Sequence, residues 1–100
     1  MSFTGPLARA ARALAQWPRR HVAGLAGIDE TTLADFESGG LILDAEMQAR
    51  LIQTLEDGGV IFLPEDGRGG AGVRLKFTRQ DVKQINRLEG EGGPVGTDDV

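Results

Sequence analysis

Residues 18–40 read PRRHVAGLAGIDETTLADFESGG, and their spacing decides the fold. A short helix from about Pro18 to Ala26 carries Val22, Ala23 and Ala26 inward, with Pro18 suited to its first turn. Gly27 ends it in the left-handed region, which glycine enters without steric penalty. Asp29 is placed to cap a second helix that buries Leu33 and Phe36, and Gly39-Gly40 stops that helix. Ala23, Gly27, Ile28, Leu33 and Phe36 thus follow at steps of four, one, five and three. Ala23 must be small because the second helix crosses over it. Ile28, Leu33 and Phe36 fill the wedge between the pair and the rest of the core. These are the physical requirements of a helix-turn-helix.

Upstream, Gly5-Pro6 opens the helix-forming run LARAARALAQW, where Leu7, Ala10, Ala11, Leu14 and Trp17 recur at three- and four-residue steps. This helix backs the pair through Leu14 and Trp17, with Arg9 and Arg12 off its apolar face. Downstream, Asp44 caps a fourth helix with an apolar stripe of Met47, Leu51, Ile52 and Leu55, ended by Gly58-Gly59. The period then changes. Val60 to Leu63 is a short apolar run, Pro64 to Gly72 a turn-rich loop, and Val73, Leu75 and Phe77 alternate with Arg74 and Lys76. Two such runs predict a β-hairpin with one half-buried face. Thr78 opens TRQD, close to a capping box, before a last helix over about residues 79–88 carrying Val82, Ile85 and Leu88. The expected fold is mainly α, with four to five helices and a C-terminal β-hairpin. Residues 1–59 form the helix-turn-helix domain, and residues 60–88 form the hairpin plus a short helix. Residues 89–100, EGEGGPVGTDDV, form a disordered acidic tail.

A length of 100 residues suits one domain. Fifteen acids against eleven bases give a net charge of −4, which taken whole argues against nucleic acid. The distribution says something different. Residues 1–28 hold four arginines and no acid, residues 29–66 hold ten acids and only Arg50, residues 67–88 hold six bases and Asp81, and residues 89–100 hold four acids. The absence of cysteine excludes disulfides and thiolate metal sites, and the lone His21 argues against a histidine-based zinc site. No apolar run approaches the ~18 residues of a membrane span, and no signal-peptide pattern opens the chain, so a cytoplasmic protein is expected. No catalytic constellation is visible. Glu65 and Asp66 read as turn chemistry, and GRGGAG does not lead from a strand into a helix and lacks a following Lys-Ser/Thr. Neither an enzyme nor a cofactor is expected.

The stretch RAARALAQWPRRHVAGLAGIDETTLADFESGG, residues 9–40, resembles the lambda-repressor/Cro-like (XRE-type) helix-turn-helix regulators. LAGIDETTLADFESG resembles that family's turn, recognition helix and closing Glu-x-Gly. LEDGGVIFLPEDGRGGAGVRLKF is similar to the hairpin extension of a small-regulator subgroup, so the resemblance covers about residues 7–77. It implies a lambda-repressor-like domain that binds double-stranded DNA. The first helix of the pair would cross the backbone and the second would enter the major groove. By position, Glu30, Thr31 and Asp35 would read bases, and Arg19, Arg20, Thr32 and Ser38 would meet phosphates. Glu37 would be structural and His21 a bystander. The resemblance also implies a homodimer on a pseudo-palindromic operator, with repression the family's commoner role.

The sequence departs from the family where two of the three base-reading positions, Glu30 and Asp35, are acids. A carboxylate accepts from cytosine N4 but is repelled by the flanking phosphates. Two alternatives follow. The acids read cytosines while arginines elsewhere supply attraction, or the helix no longer enters DNA and the scaffold is a protein-interaction adaptor. In the hairpin, Arg68, Arg74 and Lys76 are either wing contacts to DNA or a solvated face. A lone two-stranded hairpin is marginal in water, so its apolar side must pack on the helices or on another subunit. Residues 60–88 are therefore the expected dimer interface.

Overall fold

Thr4 starts the first helix, α1 (Gly5–Ala15): its hydroxyl oxygen accepts from the Leu7 N–H at 3.3 Å. The computed structural model describes residues 2–78. After α1 come α2 (Arg19–Ala26), α3 (Glu30–Glu37), α4 (Ala45–Asp57), β1 (Val60–Leu63) and β2 (Gly72–Leu75). The described chain is a small, mainly helical domain with a two-stranded antiparallel hairpin. The expected helix over 79–88 and the acidic tail over 89–100 lie outside the described residues.

The helix ends follow local chemistry. The proline at position 18 disfavours helical backbone at Trp17, so α1 stops short of the expected tryptophan and Gln16 takes the left-handed cap at φ 60°. Pro18 serves as the cap residue of α2 rather than its first helical residue. Asp44 caps α4 as expected, accepting from the Met47 N–H at 2.8 Å. Asp29 occupies the cap position of α3 with extended backbone, but its carboxylate makes no capping hydrogen bond.

The core is built from Val22, Leu33, Leu51, Leu55 and Val60, all fully buried, closed by three aromatic rings. Burying each such side chain is worth about 1.5–3 kcal/mol. Phe3, absent from the expected core, lies with its ring centre 5.4 Å from those of both Phe36, tilted, and Phe62, edge-on. The face that α1 buries also differs from expectation. Gly5, Ala8 and Ala11 are buried, whereas Leu14 is exposed at the surface. The reason is closeness: a Cβ on Gly5 would lie 2.2 Å from the Phe36 carbonyl oxygen. Only a face of small residues lets α1 approach the end of α3.

In the hairpin, Val60 faces Leu75, Ile61 faces Arg74, Phe62 faces Val73 and Leu63 faces Gly72. The side bearing Val60 and Phe62 is buried, with β1 against α4 and β2 along α1. The expected strand through Phe77 stops at Leu75, because its partner β1 begins only at Val60, opposite Leu75, and Gly59 before it turns with φ 99°. Lys76 adds one further bond, its N–H donating to the Gly59 carbonyl at 2.7 Å. Val73 is half-buried, but Leu75 and Phe77 stay 37% and 38% exposed.

Candidate nucleic-acid interface

The turn between α2 and α3 is fixed from two sides. Gly27 adopts φ 73° and ψ 36°, and the Ile28 N–H donates back to the Ala23 carbonyl at 3.0 Å. A helix end leaves carbonyls without partners. Arg50 of α4 supplies them, donating through Nε to the Ala26 carbonyl at 2.9 Å and through Nη2 to that of Gly27 at 3.4 Å. Its Nη1 pairs with Glu46 at 3.0 Å, which orients the fork. Sequence reasoning missed this clamp. The available signal was that Arg50 is the one base in the acid-rich stretch 29–66.

A second fixed point joins three helices. Glu37, the last residue of α3, is 2% exposed. Arg12 of α1 grips it with both oxygens engaged, Nε to Oε2 at 2.7 Å and Nη2 to Oε1 at 3.0 Å. Arg12 also donates through Nη1 to the Trp17 carbonyl at 3.2 Å. Arg19, the first residue of α2, adds its Nε to Glu37 Oε1 at 3.3 Å. The hydrogen bond to Glu37 holds the Arg12 guanidinium above the usual arginine range, against the opposing effect of burial. Arg12 is therefore not the outward-facing residue that helical periodicity predicts. A long arginine can lie beside an apolar face when a buried carboxylate satisfies its head.

The residues expected to read bases lie together on the solvent side of α3. Glu30, Thr31 and Asp35 are exposed and Thr32 is half-buried. Neither Glu30 nor Asp35 forms an ion pair or side-chain hydrogen bond among the described residues. Ser38 is exposed, but its hydroxyl donates to the Asp35 carbonyl at 3.0 Å, which ties it to the helix end. Of the residues expected at phosphates, Arg20 is exposed. The Arg19 side chain is 38% exposed and anchored on Glu37. His21 is exposed with its ring edge-on to Trp17 at 4.8 Å.

On the hairpin, Arg68, Arg74 and Lys76 are all exposed. Arg68 sits in a turn closed by Asp66, whose Oδ1 accepts from the Arg68 N–H at 2.8 Å. Arg74 shares the outer face with Ile61, and the Lys76 ammonium lies 5.6 Å from the Phe77 ring centre. The loop after α3 exposes two apolar side chains: Ile42 is 88% exposed and Leu41 39%.

Among the described residues no group of three or more His, Cys, Asp or Glu side chains is arranged to hold a metal ion. No helix there is long and apolar enough to cross a membrane. In comparisons with known proteins, no family model matches the chain and no curated protein matches it significantly.

Proposed function

We propose that the chain is a sequence-specific DNA-binding regulator on a lambda-repressor-like helix-turn-helix scaffold. The observation that carries it is the α2–α3 pair itself. Two eight-residue helices meet at a left-handed glycine, with Arg19 and Arg20 at the entry of the first and an exposed polar face on the second. In such a pair the first helix lies against the DNA backbone and the second enters the major groove. Arg19 and Arg20 then meet phosphates, with Thr32 and Ser38 near the opposite backbone. Glu30, Thr31 and Asp35 face base edges, the two carboxylates accepting from cytosine N4. The partly exposed Leu75 and Phe77 at the end of the hairpin supply apolar surface for a second copy. The homodimer binds a pseudo-palindromic operator and represses by occupying a promoter, the role its family resemblance implies. Arg68, Arg74 and Lys76 serve as wing contacts.

Selection of bound duplexes from a random pool tests this directly. Enrichment of a two-fold symmetric sequence containing cytosines is expected, with a solution mass of twice the 10.6 kDa chain. Failure to retain any duplex at low salt contradicts it.

A second function has an observation of its own. The outward side of α3 carries acids and no base, and the next loop exposes Leu41 and Ile42. That combination suits a protein-interaction adaptor, and such a module retains no DNA in the same selection.

A further inference from the structure

The Glu37 carboxylate is over-supplied with cations. Arg12 alone engages both its oxygens, at 2.7 and 3.0 Å, so one guanidinium already neutralises the buried charge and satisfies its geometry. Arg19 is surplus to that need. It spends only its Nε–H on Glu37, at 3.3 Å, and its four terminal N–H donors find no acceptor among the described residues. This side chain stands at the first residue of α2, a helix whose first turn holds no acid and whose cap residue, Pro18, offers no side-chain acceptor.

We infer that Glu37 is a positioning residue for DNA binding: it fixes the Arg19 guanidinium in advance, so that its terminal nitrogens meet a phosphate as a preset fork. This rests on the DNA-binding function proposed above and adds to it a buried residue that touches no DNA. The physical gain is preorganisation. Immobilising a long side chain on binding weakens association by about 3- to 10-fold, and a side chain already immobilised in the free protein avoids that loss. Lysine cannot reproduce the arrangement, because its ammonium has no Nε–H to anchor while the terminal donors face outward.

The sign of the effect separates positioning from plain electrostatics. Glu37→Gln removes a negative charge near the interface, so unspecific electrostatics alone makes DNA binding tighter. Positioning makes it weaker. The experiment is a double-mutant cycle on a duplex that the wild-type chain binds, at fixed salt, using wild type, Glu37→Gln, Arg19→Ala and the double variant. Helix content by circular dichroism checks that each is folded. The expected result is a 3- to 10-fold loss for Glu37→Gln in the wild-type background, and no loss, or a gain, when Arg19 is already alanine. Arg19→Lys, which leaves the Arg12–Glu37 pair intact, is the second probe if Glu37→Gln does not fold. It is expected to bind about 3- to 10-fold more weakly than wild type with an unchanged salt slope. Equal loss in both backgrounds, or an Arg19→Lys chain that binds like wild type, overturns the inference while leaving DNA binding in place. A wild-type chain that binds no duplex overturns both.

Discussion

The entry of α2 and the outward side of α3 are separated by one tight turn and are opposite in character. The entry presents Arg19 and Arg20, with one guanidinium braced from beneath by a buried carboxylate. The outward side of α3 presents Glu30 and Asp35, exposed and without ion-pair partners among the described residues. The difference teaches that attraction and discrimination need not reside on one helix. In the proposed DNA complex, cations at the entry would draw any duplex closer, whereas carboxylates in the groove would repel phosphate and be tolerated only where a base edge offers them a donor. A helix that is repelled by default selects more by what it rejects than by what it attracts.

Removing the brace breaks the comparison most severely. Glu37→Ala leaves the largely buried Arg12 guanidinium without its carboxylate partner, and a loss of about 3 kcal/mol in unfolding free energy is expected from chemical denaturation. A loss under ~1 kcal/mol would show that the cluster is ornamental to the fold. Next comes the close approach that brings α1 to the end of α3. Gly5→Ala places a methyl 2.2 Å from the Phe36 carbonyl oxygen. About 1–3 kcal/mol of stability should be lost as α1 is pushed away.

On the acidic side, Glu30→Ala and Asp35→Ala should each flatten preference at one base pair, by about 1–3 kcal/mol of discrimination. Overall affinity should hold or rise, since a repulsive charge has gone. Binding profiles over single-base operator variants measure this, and an unchanged profile in both variants removes these side chains from base reading. The smallest effects belong to the hairpin. Arg74→Ala and Lys76→Ala, both exposed, should change stability by no more than ~0.5 kcal/mol and should each lower the salt slope of DNA binding by about one contact.

The two short helices α2 and α3 and the tight turn between them were legible in the sequence because their constraints are steric and local. A small residue at Ala23, a left-handed glycine at Gly27 and a buried Leu33 and Phe36 leave few other folds for that stretch. The Asp44 cap was legible for the same reason. Arg12 was not, because apolar periodicity assigns a charged residue outward, and its partner Glu37 lies 25 residues away along the chain. Leu14 was placed inside by its apolar spacing, whereas the packed face of α1 is chosen by how closely Gly5, Ala8 and Ala11 let it approach α3. Phe3 precedes any periodic segment, so nothing local announced that it closes the aromatic cluster. Alternation carried β2 to Phe77 because a single strand does not reveal where its partner turns away. The exposed positions of Glu30, Thr31 and Asp35 were legible from the register of α3, but what they contact is a property of the ligand rather than of the helix.

The most direct measurement is a salt titration of binding to the chain's own upstream DNA, run on wild type and on Arg19→Ala and Arg20→Ala. Log affinity should fall linearly with log salt, and each arginine removed should reduce the slope by ~0.9 for one lost phosphate contact, alike for all sequences. Absence of binding at low salt, or a slope that ignores both substitutions, would contradict a duplex-binding role for this pair of helices.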